Sequence, residues 1–207
     1  MRYDIEPANL QACLEAAKEF RKTAIGKLIV HISDTDTKYY PFIAALLEAV
    51  GPALTIHTGD MADEYKAGRK PEDVPGYMRV VPELLDIMRR SSSEVWVVKG
   101  NNDRLEVLEG SGIAVKPNGC RTQALGITME LDHVAIPAAF GVDFAIYGHG
   151  PTDDLRYPLE DIPGDTVYLN GNYFWSIIDS ATKRFIRLPY RAPVLTQRIL
   201  IVRHGQT

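Results

Sequence analysis

The chain has 207 residues, 45% of them apolar and 24% charged, with a net charge of −4. This is the composition of an ordinary soluble globular chain with room for one substantial core, and one domain is expected. The acidic balance disfavours a broad nucleic-acid surface, no apolar run reaches the length of a membrane span, and no basic, apolar leader is evident, so a soluble chain without membrane attachment is expected.

Residues 1–26 precede the first strand signal. Leu10, Cys13, Leu14, Ala17 and Phe20 fall at helical spacing after Pro7-Ala-Asn, which predicts an amphipathic helix that covers a sheet or serves an interaction. Cys13 and Cys120 form neither a disulfide framework nor metal-ligand spacing, which fits a reducing cytoplasm. The apolar run Leu28 to Ile32 reads as a buried strand, and it stops at two carboxylates, Asp34 and Asp36. Pro41 to Val50 reads as a helix started by proline and ended by Gly51-Pro52.

The same design then repeats. Ala53 to His57 runs as a strand into Thr-Gly-Asp60, which completes a βαβ unit. The polar stretch from Met61 to Val74 is a candidate loop over the site. Met78, Val81, Leu84, Leu85 and Met88 space out a second helix, closed by Arg89 and Arg90 at its negative end. Val95 to Lys99 is a strand running into Gly-Asn101-Asn102-Asp103. From Leu105 to Ala124 the pattern is irregular, with Asn118-Gly119 turn chemistry at its centre.

Leu125 to Leu131 predicts another strand, followed by Asp132-His133, and Phe144 to Tyr147 ends in Gly-His149-Gly-Pro151. Beyond it Thr166–Leu169, Tyr173–Ile178 and Arg184–Leu188 are strand candidates, the last two joined across 179–183. Each of four strands thus delivers an oxygen or imidazole donor where the backbone leaves the sheet. Sites of open α/β sheets assemble at that edge, and Asp, Asn and His there suit Mn, Fe or Zn. His31 and His57, inside strands, are read as structural.

The order Asp34-x-Asp36, Gly59-Asp60, Gly100-Asn101-x-Asp103, a histidine, then Gly148-His149 resembles the calcineurin-like metallophosphoesterase family, with motifs DxH, GD, GN[HC]D, H and GHxH. The resemblance runs from about Lys27 to about Leu188. It implies a four-layer αββα sandwich over residues 27–190, with 1–26 as a helical extension and 191–207 as a tail. It also implies one or two divalent metal ions per chain. Asp60 would bridge them, with Asp34 and Asp36 on the first and Asn101, His133 and His149 on the second. The implied reaction is hydrolysis of a phosphomonoester or phosphodiester by metal-bound hydroxide, with Asp60, Asn101, Asn102 and Asp103 as the catalytic set. For His133 the alternative is a surface histidine after a strand.

The chain departs from the family pattern at three positions. The DxH histidine is Asp36, the second GHxH histidine is Pro151, and the leaving-group acid of GNHD members is Asn102, an amide that does not titrate near pH 7. The first metal should therefore be held weakly and by oxygen alone, with Asp153 or Asp154 as possible substitutes for the missing donor. The alternative function is a scaffold or regulatory binding module that keeps the fold. The last ten residues, Arg198 to Thr207, resemble the opening of a histidine phosphatase domain. Such a domain needs far more chain, so His204 is assigned no activity, and Ile199 to Val202 is expected to add a strand or stay loose.

Overall fold

Five consecutive buried residues make β1 (Leu28–Ile32), and burial on both faces is what a strand in the middle of a covered sheet requires. The computed structural model describes residues 7–134, 141–150, 165–190 and 200–202. Ahead of β1 stands α1 (Pro7–Thr23), and after it come α2 (Tyr40–Val50), β2 (Leu54–His57), α3 (Val74–Ser91), β3 (Glu94–Val98), α4 (Leu105–Gly110) and β4 (Ala114–Lys116). The second half holds β5 (Cys120–Ala124), β6 (Ile127–Val134), β7 (Phe144–His149), β8 (Val167–Asn170), β9 (Phe174–Asp179), β10 (Phe185–Pro189) and β11 (Leu200–Val202).

These strands form two sheets, a seven-stranded one in the order β11-β10-β9-β1-β2-β3-β4 and a four-stranded one in the order β5-β6-β7-β8. In the larger sheet β1 to β4 run parallel, while β9, β10 and β11 extend it as antiparallel neighbours. In the smaller, β6, β7 and β8 are parallel and β5 is the antiparallel edge.

Alternation along the strands divides the core in two. Leu28, Val30 and Ile32 of β1 and Val95 and Val97 of β3 meet Phe20 of α1, Ile43 and Leu47 of α2 and Leu84 and Met88 of α3. The intervening residues Ile29, Leu54, Ile56, Trp96 and Val98 pack against Ile127, Met129, Leu131, Phe144 and Ile146 of the smaller sheet. At about 1.5–3 kcal/mol for each large apolar side chain removed from water, this inter-sheet layer holds the two halves of the site in register. Helices, large sheet and small sheet are three layers of the αββα order expected from the sequence. No helix over the far face of the small sheet falls among the described residues.

Four expectations are corrected. Leu125 and Gly126 are not strand. Both have positive φ, 52° and 80°, and they form the two-residue turn of a hairpin in which Ala124 faces Ile127. The following strand extends to Val134, so Asp132 and His133 lie within it instead of after it. The irregular stretch after Asp103 contains α4, β4 and β5, all short: α4 is anchored by Leu108 in the core, and β4 and β5 take their stability from pairing with β3 and β6, not from local pattern. Met78 is 53% exposed, because Tyr77, four residues before Val81, occupies the buried stripe of α3. Among the described residues no helix is long and apolar enough to cross a membrane.

Candidate metal centre

The carboxyl ends of β1 and β2 are tied together by their own backbone, and Gly68 N–H donating to Asn102 O joins the segment after β2 to the turn after β3. Asp34 N–H donates to Gly59 O, Thr35 N–H to Asp60 O, and Asp63 N–H to Thr35 O, at 2.8–3.0 Å. Asp34 and Asp60 sit at φ 49° and 56°, the left-handed region that few side chains enter without compensation. The motif glycines explain how the segments come so close. A Cβ on Gly100 would lie 2.2 Å from Asp60 Oδ1, and one on Gly148 would lie 2.8 Å from Asp34 Oδ2. Any side chain there would push two strand ends apart.

His133 and His149 arrive from the smaller sheet, on β6 and β7. Nδ1 of His133 lies 2.7 Å from Thr58 O, and Nδ1 of His149 lies 2.8 Å from Gly150 O. A carbonyl oxygen only accepts, so both Nδ1 atoms carry hydrogen and both neutral rings present Nε2 lone pairs. Those Nε2 atoms lie 3.0 and 3.3 Å from Asn101 Oδ1. Oδ1 is also an acceptor, and the amide is oriented by its Nδ2 donating to Asp60 Oδ2 at 3.3 Å. The Asp60 carboxylate completes the group, 3.6 Å from His133 Nε2. Acceptors facing one another around a common point repel unless a cation lies among them or both rings take a second proton. Two imidazoles, an amide oxygen and a carboxylate suit Mn, Fe or Zn.

The other side of the site is all oxygen. Ligand atoms of Asp34, Asp60 and Asp63 lie within 4.8 Å of one another, as do those of Asp34, His133 and His149. Asp34, not Asp60, is therefore common to both groups of ionisable ligands. Burial pushes the Asp60 carboxyl up to about 7, with the neighbouring Asp34 and Asp103 charges adding to the rise and His133 opposing it. Asp34 is raised too, chiefly by burial. Without a cation this half of the site retains protons that ordinary carboxylates release near pH 4.

Asp103, in the catalytic set by resemblance, fastens the loops around Asp60. Its carboxylate accepts from the backbone N–H groups of Asp60, Met61 and Gly100 and from the Tyr77 hydroxyl, all at 2.8–3.0 Å. Asn102 is 2% exposed, and its amide donates to Asp60 Oδ2 at 2.5 Å and to Asp63 Oδ1 at 3.1 Å. Its side chain thus braces two carboxylates. Asp36 stands outside both clusters, with its carboxylate 3.7 Å from Lys38 Nζ.

Asp63 is the residue that sequence reasoning missed. It is 3% exposed and ion-paired with Lys66, and the only sequence signal was its position three residues after Asp60. His31 and His57 are buried, with pKa values pushed down to about 3 by burial. His57 accepts from Gly59 N–H and bonds Thr35 Oγ1, so it braces the turns instead of joining the donor set. Pro151, Asp153, Asp154 and His204 lie outside the described residues.

Fold and site together define a two-sheet α/β protein with a candidate metal centre at its strand ends. Yfce, a phosphoesterase from E. coli, has a similar fold, with a TM-score of 0.56 at 14% identity, covering 86% of this chain and 100% of that one. A protein of unknown function from Aquifex aeolicus, AQ665, superposes with a TM-score of 0.46 at 16% identity, over 70% of this chain and 90% of that one. No family description and no curated protein matches the sequence.

Proposed function

We propose that the chain is a metal-dependent phosphoesterase of the calcineurin-like kind that hydrolyses a phosphomonoester or phosphodiester in the cytoplasm. The observation that carries this reading is the convergence of Asn101 Oδ1, His133 Nε2 and His149 Nε2, all acceptors, beside Asp60. The phosphoesterase fold neighbour supports it. Asp34, Asp60, Asn101, His133 and His149 would hold one ion, and Asp34, Asp60 and Asp63 a second. A bound divalent cation supplies Lewis-acid polarisation of a phosphoryl oxygen and acidification of water.

The chain's own residues set the stage for that chemistry. Thr58 and Gly150 carbonyls hold the imidazoles in the ligating tautomer. Asp103 locks the Asp60 and Asn101 loops together, and the Asn102 amide aims the Asp60 carboxylate. Asn102 has no proton to give a leaving group near pH 7, so esters with good leaving groups are the expected substrates.

The buried, amide-bearing residue 102 also favours a second reading, a binding module that keeps the fold and has little turnover. Hydrolysis of bis-(4-nitrophenyl) phosphate and 4-nitrophenyl phosphate, with and without manganese, decides between them. Manganese-dependent turnover abolished by chelator is expected; bound metal with no turnover of either ester would favour the binding module.

A further inference from the structure

The chain crosses from the large sheet to the small one between β4 and β5, through Pro117-Asn118-Gly119, the turn signal that the catalytic reading leaves unused. Gly119 takes φ +70° there, a conformation glycine adopts at no steric cost. Asn118 Oδ1 accepts the His133 N–H at 2.8 Å, and its Nδ2 donates to Lys99 O at 3.2 Å. Both polar atoms of the amide are used in the sense their chemistry requires, which fixes its orientation.

The register shows why the side chain sits there. β5 and β6 pair Cys120 with Leu131, so the same antiparallel count would place residue 118 opposite His133. The backbone ladder has already ended, and the Asn118 amide supplies the acceptor that the next strand residue would have supplied. Its other end holds the last carbonyl of the segment that leads into Gly100 and Asn101. One side chain therefore joins the segment carrying Asn101, from the large sheet, to the segment carrying His133, from the small one. Their side chains meet at 3.0 Å.

We propose that Asn118 is a positioning residue of the candidate metal centre: it clamps the two sheets at the His133 and Asn101 positions and so sets the spacing of these two donors. This rests on the reading of the site as metal-binding. Asn118 itself is exposed, and its amide bonds backbone atoms of His133 and Lys99.

The test compares wild type with Asn118→Ala and Asn118→Asp by zinc titration against a chromogenic chelator, visible absorption of the cobalt(II)-loaded protein, and thermal unfolding of the metal-free protein. Asn118→Ala should weaken zinc binding roughly ten- to hundredfold, the usual consequence of losing a group that orients a ligand, and shift the cobalt bands. The metal-free midpoint should move by no more than about 2 °C, as for other exposed polar side chains. Asn118→Asp keeps the acceptor for His133 N–H and loses the donor to Lys99, so its zinc affinity should lie in between. Unchanged zinc affinity and cobalt bands in Asn118→Ala would overturn the proposal, as would a metal-free midpoint lowered in step with affinity, since that marks a merely structural role. A wild-type protein that takes up neither zinc nor cobalt would instead overturn the metal reading beneath it.

Discussion

The two halves of the candidate centre are built on different principles. The histidine half draws on both sheets, and each of its imidazoles is held in one tautomer by a backbone carbonyl. Its own donors, Asn101, His133 and His149, are neutral, and only the shared Asp34 and Asp60 bring charge, so it is ready for a cation before one arrives. The carboxylate half comes from the large sheet alone, from the turns after β1 and β2, and burial, with neighbouring carboxylate charge adding to it, raises the Asp60 and Asp34 carboxyls. There a cation must first displace protons, which makes binding weaker and pH-dependent. The expected outcome is an asymmetric centre: about one ion per chain surviving purification without chelator, and a second taken up only at millimolar metal.

Asp60 lies beside His133 in one half and groups with Asp34 and Asp63 in the other, and its carboxylate is the one the Asn101 and Asn102 amides hold, so its loss should have the largest effect. Asp60→Ala is expected to reduce phosphoesterase turnover by at least about a hundredfold and to remove metal from the purified protein. Retention of one ion and of turnover, with the far-ultraviolet spectrum unchanged, would show that the halves do not share this carboxylate.

His133→Ala should strip the tight ion, lowering affinity roughly a hundredfold, while leaving the carboxylate half able to bind manganese at millimolar concentration. Metal analysis after dialysis measures the first effect, and manganese electron paramagnetic resonance the second. Equal loss at both would mean a single undivided site.

The carboxylate half also predicts the pH dependence of the metal-free fold. Asp60 keeps its proton up to about pH 7 in the folded protein but releases it near pH 4 when unfolded. Between those values the folded state binds more protons, so the stability this group contributes is fully present below about pH 4 and is lost as pH rises through about 7. Asp34, raised likewise, acts in the same direction. Thermal unfolding in chelator should show the midpoint falling by roughly 5 °C between pH 5 and 8, and excess manganese should reverse the trend. A midpoint flat or rising over that range would contradict the assigned protonation.

Asp63→Asn is the gentlest probe, because the amide preserves shape. It should weaken the second, millimolar binding event by about tenfold and leave the tight ion in place. An unchanged second event in calorimetry would leave Asp63 a partner of Lys66 and Asn102 and no ligand.

The periodicity of apolar residues and the residues at strand ends were enough to place β1, β2 and β3, the helices between them, and the motif positions Asp34, Asp60, Asn101 and His149. These are local signals: a buried strand reads as an apolar run, and glycine before a carboxylate marks where the backbone turns. What the tertiary structure alone decided was the work each polar residue does. Asp103, Asn102 and Asp63 are all short polar residues after strands, and only the close approach of the β2 and β3 turns makes Asp103 a fastener, Asn102 a brace and Asp63 a candidate ligand. His133 was uncertain for the same reason. Its place in β6 depends on pairing with β5, across a two-residue turn that looks apolar in sequence, and with β7. Pairing between strands far apart in the chain is set by the packing of both sheets, which no window of neighbouring residues contains.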